Sequence, residues 1–238
     1  MSKTDEIYAA LPQGESMNYH IDTGLIWETF KNGSECPLCE LYDIVNARVV
    51  EQFTTEAVME DHARDRVNKL GFCERHFDQL FALPNKLGIA LQTSTRLAYI
   101  RKNLAQLTKA GQAKKEAERL GKEQSTCVLC ELNDFNMSRY YKTVAQMYVK
   151  EPEFRSLLLG SKGFCMQHYA KLLEFSGAAG LKGGEYVQAL SELQQSNLDR
   201  LQEELDWFCD KFDYRNGDKP WGNSKDAPIR TIRKIRNK

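Results

Sequence analysis

The same set of four potential metal donors is written twice along this chain. Cys36-Pro37-Leu38-Cys39 precedes Gly71-Phe72-Cys73-Glu74-Arg75-His76, and Cys127-Val128-Leu129-Cys130 precedes Gly163-Phe164-Cys165-Met166-Gln167-His168. Between Cys39 and Cys73 lie 33 residues, and between Cys130 and Cys165 lie 34. The pattern uses six of the seven cysteines and two of the four histidines. Three thiolates and an imidazole form a tetrahedral metal set. The fold must therefore bring cysteines together across long stretches of chain, and do so twice.

Each half-motif has a local logic. In CxxC the chain must turn sharply so that intervening N–H groups face the sulfurs, and Pro37 favours such a turn by fixing φ. In CxxH the i, i+3 spacing places both side chains on one helix face. Gly71 and Gly163 stand at the same offset before it, where a tight reversal into the helix calls for glycine. The spacing predicts two closed structural zinc sites, with Cys36, Cys39, Cys73, His76, Cys127, Cys130, Cys165 and His168 as ligands and two zinc ions as cofactors. Buried free cysteines, disulfides and iron–sulfur clusters are the competing readings. Packing alone gives no reason for a duplicated spacing, and disulfides would suit a secreted chain. An iron–sulfur cluster stands as the alternative cofactor. Spacing does not fix which halves share an ion; pairing within each repeat is the simpler arrangement.

The repeat runs deeper than its ligands. Glu40-Leu41 matches Glu131-Leu132, and Asp43, Arg48, Glu60 and Arg64 match Asp134, Arg139, Glu151 and Arg155 at an offset of 91. Phe72, Phe77 and Leu80 match Phe164, Tyr169 and Leu172 at an offset of 92. Arg64 and Arg155 either fold back over the thiolates or form surface pairs with Glu60 and Glu151; the surface pairs are preferred.

Apolar residues recur with helical period throughout, and β-branched alternation is scarce. Helices are expected over 38–55, 60–70, 73–83, 87–120, 129–149, 151–159, 166–175 and 186–212, with a polar, solvated stretch from Lys109 to Gln124. The glycine-rich run Gly177 to Gly184 reads as a helix connection, since no strand precedes it. The expected fold is all-α, a duplicated pseudo-symmetric helical bundle with two Cys3His metal sites. The expected divisions are an irregular arm (1–24), a first metal-binding repeat (25–120), a second (121–212), and a loop with a basic C-terminal segment (213–238).

Lys+Arg and Asp+Glu both number 33, so no global charge drives the chain toward nucleic acid or an anionic membrane. No apolar leader or membrane-length run is present. With thiols kept reduced for metal, the expected location is the cytoplasm. Cys209, outside both sets, is expected to pack as a small apolar residue. The last segment spaces Ile229, Ile232 and Ile235 by three among Arg230, Arg233, Lys234 and Arg236. The preferred reading docks the isoleucines on the bundle and solvates the charges; the other is contact with nucleic acid or an acidic membrane through those four basic residues.

The CPLCEL and GFCxxH half-motifs, with Phe212-Asp213-Tyr214-Arg215-Asn216 near the end, resemble an uncharacterised family of prokaryotic cysteine-rich proteins, a domain of unknown function. The resemblance spans roughly Cys36 to the C-terminus. It supports the metal assignment and transfers no mechanism. Val128 departs from CPLC at the proline, which implies a looser knuckle in that copy. His20 and His62 stand alone, and no nucleophile–base constellation is evident. The expected function is a non-catalytic, zinc-stabilised scaffold that binds a protein partner. An iron–sulfur redox protein, a thiol/zinc sensor and a nucleic-acid-binding protein are the alternatives.

Overall fold

The structure is a computed structural model that describes residues 19–236, with side chains from residue 23. Among these residues there is no strand. The helices are α1 (Tyr19–Lys31), α2 (Pro37–Thr54), α3 (Asp61–Leu70), α4 (Glu74–Ala82), α5 (Lys86–Asn103), α6 (Ala110–Gln124), α7 (Val128–Lys150), α8 (Pro152–Leu159), α9 (Met166–Glu174), α10 (Gly183–Asp210) and α11 (Ala227–Arg236). Short 3-10 helices occupy Glu56–Met59, Ser176–Lys182 and Tyr214–Asn216. No helix among the described residues is long and apolar enough to cross a membrane.

Two expectations shift. Residues 19–24 of the expected arm are helical, because α1 buries Ile26, Thr29 and Phe30 on one face; residues 1–18 lie outside the described residues. The long helix expected from Leu87 to Leu120 is two helices, α5 and α6, separated by residues 104–109. α6 buries none of its residues. It is laced instead by Arg119 to Glu116 and Glu123, at i, i−3 and i, i+4, the charge pattern of a solvated helix.

The chain forms two compact units, and passes between them inside α2 and inside α7. One unit is Ile44–Asn136 in its described part. Here α3 turns Ala63 and Val67 inward at i, i+4 and packs on α5 and on Glu56–Met59. Phe72 lies edge-on to Phe53 at 6.2 Å and to Phe77 at 5.3 Å. The other unit comprises the described parts of residues 16–43 and 137–238. Its centre is aromatic: Phe154 of α8 meets Trp27 at 5.4 Å and Phe30 at 5.1 Å, both from α1. α10 buries Tyr186, Leu190, Leu193 and Leu201 along one stripe, and it carries α11 on its surface.

The repeated arginines reach backbone carbonyls. Arg64 donates to the Val58 carbonyl at 2.7 Å. Arg155 donates to the Tyr148 carbonyl at 2.9 Å and the Val149 carbonyl at 3.5 Å, and pairs with Glu185 at 3.3 Å. Val58 and Val149 are themselves at the repeat offset of 91. Each arginine thus satisfies a backbone carbonyl just before its own helix, a group that would otherwise lack a partner.

Candidate metal centres

The eight predicted donors come together in two groups of four, and the groups cross the repeats. Cys36, Cys39, Cys165 and His168 form one; Cys73, His76, Cys127 and Cys130 form the other, with the donor atoms of each within 4.8 Å of one another. Pairing within each repeat is therefore corrected. The first group lies wholly in the unit of residues 16–43 and 137–238, the second wholly in Ile44–Asn136.

Local structure presents each donor. Cys36 and Cys127 immediately precede α2 and α7, while Cys39 and Cys130 sit in their first turns. The knuckle closes through Cys39 N–H to the Cys36 carbonyl at 3.0 Å and Glu131 N–H to the Cys127 carbonyl at 3.1 Å. Cys73 and Cys165 cap α4 and α9, which carry His76 and His168 in their first turns. Gly71 and Gly163 enter these turns at φ 66° and 71°, as the sequence led us to expect. A side chain at Gly163 would also meet Gln194 Oε1 at 3.1 Å. That amide is needed where it is: Gln194 accepts from Phe164 N–H at 3.0 Å and donates to the Phe164 carbonyl at 2.9 Å.

The distances within the groups are alike. His168 Nδ1 lies 3.4 Å from Cys36 Sγ, 3.4 Å from Cys39 Sγ and 3.3 Å from Cys165 Sγ, and Cys39 and Cys165 Sγ are 3.7 Å apart. His76 Nδ1 lies 3.3 Å from Cys73 Sγ, 3.2 Å from Cys127 Sγ and 3.4 Å from Cys130 Sγ, and Cys73 and Cys130 Sγ are 3.8 Å apart. A zinc–sulfur bond of about 2.3 Å and a zinc–nitrogen bond of about 2.0 Å imply tetrahedron edges of about 3.8 Å for S–S and about 3.5 Å for S–N. Both groups are therefore able to hold a single ion.

The surroundings of the two groups differ. His76 points Nδ1 at the sulfurs, so Nε2 carries the proton and donates to Asn46 Oδ1 at 2.9 Å. Asn133 donates to the same oxygen at 2.8 Å, and Asn46 in turn donates to Gln79 at 3.0 Å. This buried amide chain fixes the imidazole's tautomer and direction. Position 137, the counterpart of Asn46, is methionine, and His168 instead has the Tyr141 ring tilted 6.1 Å away.

The two loops that meet at each group are also joined differently. Beside His76, Val128 N–H donates to the Gly71 carbonyl at 3.1 Å and Thr126 Oγ1 to the Leu70 carbonyl at 2.7 Å. Valine at the proline position therefore ties this knuckle instead of loosening it. Pro37 has no N–H to offer. There, Lys234 bridges the loops from α11, donating to the Glu35 carbonyl at 2.6 Å and to the Lys162 carbonyl.

That role reverses the expected seating of α11. Lys234 is only 1% exposed, whereas Ile229, Ile232 and Ile235 are 51%, 58% and 64% exposed. The basic face docks because acidic residues wait for it. Glu35 pairs with Arg200 at 2.7 Å, Arg230 at 3.2 Å and Lys234 at 3.5 Å, and Arg230 also pairs with Glu204. Burial alone would raise the Glu35 carboxyl, but Arg200, then Lys234 and Arg230, hold it below the usual carboxylate range. Cys209 is exposed, not packed.

Protonation also separates the groups before any ion binds. Burial lowers the His76 imidazole to about 4, with the Arg75 charge adding to the effect. Burial pushes His168 down too, but hydrogen bonds and negative charge from Cys165 and Cys36 outweigh it and raise the imidazole to about 9. Cys165 is lowered by hydrogen bonds from Cys36 and Cys39, and Cys39 is raised by those to Cys165 and Cys36.

The model of the family of unknown function DUF6062 matches residues 17–238. The chain belongs to that family. As a DUF6062 protein it is similar to the "Uncharacterized 23.9 kDa protein in xynA 3'region" of Caldicellulosiruptor sp. (strain Rt8B.4), with 25% identity over 189 residues, 79% of this chain and 87% of the relative. No solved structure matches the chain. The match to DUF6062 takes in both crossed groups and α11.

Proposed function

We propose that this DUF6062 protein is a zinc-stabilised helical scaffold, in which each crossed Cys3His group holds one zinc ion and exposed helix faces receive a protein partner. The observation that carries the reading is the donor spacing: sulfurs 3.7 and 3.8 Å apart match the edge of a tetrahedron around one zinc ion. An iron–sulfur cluster distributes its cysteines over several irons, and donors this close favour a single ion. Four protein donors leave no position for a substrate or an activated water, which supports a structural role over a catalytic one. The reading suits a reducing compartment such as the cytoplasm.

For the partner, the support is apolar surface. α11 exposes its three isoleucines, and α5 separately exposes Leu87, Leu91 and Leu97. Nucleic-acid binding is less well supported, because Arg230 and Lys234 are spent on Glu35, Glu204 and backbone carbonyls. Removing metal with a strong chelator tests the structural role. The stripped protein should lose helicity and melt at a lower temperature, and zinc should restore both. Unchanged circular dichroism and melting after complete removal would contradict it.

A further inference from the structure

The two donor groups meet solvent differently. In the group of Cys73, His76, Cys127 and Cys130, two donors are half-exposed, Cys73 and Cys130, and the other two are buried. The exposed two are adjacent, with sulfurs 3.8 Å apart. In the other group Cys39 alone is half-exposed; Cys36, Cys165 and His168 are buried. Every sulfur–sulfur edge among Cys36, Cys39 and Cys165 thus has at least one buried end. Only the Cys73–Cys130 edge joins two half-exposed cysteines.

We propose that Cys73 and Cys130 are a modification site, a thiolate pair that hydrogen peroxide converts to a disulfide with release of the bound ion. The inference rests on the metal reading above and adds a regulation to it. One thiolate attacks a peroxide oxygen; the O–O bond breaks, a sulfenic acid forms, and the departing hydroxide takes a proton to become water. The second thiolate then attacks that sulfur; the S–S bond forms, the S–O bond breaks, and a second hydroxide leaves as water. Two thiolates lose two electrons, the peroxide gains them, and two protons are consumed. The sulfurs must close by about 1.7 Å to reach disulfide length, a movement open to half-exposed side chains. Cys127 and His76 would then be the remaining donors, two of the four that a closed zinc site uses. The group of Cys36, Cys39, Cys165 and His168, with three of its four donors buried, keeps its ion and its half of the fold.

The test uses the full chain, metal-loaded, with Cys209→Ser to remove the exposed thiol outside both groups. Hydrogen peroxide is added in the presence of a chromogenic chelator, and disulfides are mapped by differential alkylation and mass spectrometry. The expected result is biphasic release, the first ion leaving roughly tenfold faster than the second, with a Cys73–Cys130 disulfide forming in the first phase. Dithiothreitol and zinc should reverse it. Release of both ions at one rate, or a first-phase disulfide at Cys36, Cys39, Cys165 or Cys127, would overturn the proposal. A purified chain with no metal at all would fail at the earlier step and remove the metal reading itself.

Discussion

Cys39 and Cys165 are 126 positions apart in the chain, and their sulfurs are 3.7 Å apart. Neither repeat closes its own site: each supplies CxxC to one group and CxxH to the other. Residues 25–120 or 121–212 produced alone should therefore bind metal weakly and show little stable helix. Mixing the two with zinc should recover helicity and two ions per pair. Circular dichroism and metal analysis decide it, and an isolated repeat that holds one ion tightly would contradict the crossed arrangement.

The seating of α11 predicts an inverted mutational pattern. Lys234→Ala leaves the Glu35 and Lys162 carbonyls without their donor and takes one cation from Glu35. It should destabilise by about 3 kcal/mol, the usual scale for breaking a buried charged network. Ile232→Ser removes an exposed side chain and should cost no more than about 0.5 kcal/mol. Denaturant unfolding of the two variants checks the order. A larger loss from Ile232→Ser would place the isoleucines, not the lysine, at the docked face.

Asn46 holds the His76 imidazole through Nε2. Asn46→Ala should weaken metal at the His76 group by roughly 10–100-fold, the typical effect of losing such a partner. The group of Cys36, Cys39, Cys165 and His168 should be unaffected. Chelator competition resolves the two affinities; an equal loss at both, or none, would show that Asn46 does not orient His76.

The imidazoles should titrate on opposite sides of neutrality in metal-free protein. His76, lowered to about 4, favours folding above its unfolded value near 6.5, and that contribution is lost as pH falls toward 4. His168, raised to about 9, contributes fully below 6.5 and loses its contribution as pH rises toward 9. At pH 7.5 His168 carries a proton that an incoming ion must displace, and His76 does not. Metal affinity of the His168 group should therefore fall more steeply between pH 9 and 7. Ring nitrogen NMR of the metal-free chain reads both states directly; titration of both near 6.5 would refute the difference.

The donors and most helices were legible because their signals are local. CxxC, CxxH and the glycines at positive φ each need only a few neighbours. Pairing was not legible, because nothing within Cys36–Cys39 says whether Cys73 or Cys165 completes the tetrahedron. The face on which α11 docks was hidden for a similar reason. Its isoleucine stripe is plain in the sequence, but Glu35 and Glu204, which draw the opposite face inward, are far away in the chain. The knuckle at Val128 misled because proline was credited with the turn it favours, while the bond that its missing N–H forgoes became visible only beside the Gly71 carbonyl.

The most direct test is metal analysis and X-ray absorption on protein purified without air. The account predicts two zinc ions per chain, each with three sulfur neighbours and one nitrogen neighbour, and no acid-labile sulfide. Iron with labile sulfide, or a metal–metal distance of a cluster, would contradict it.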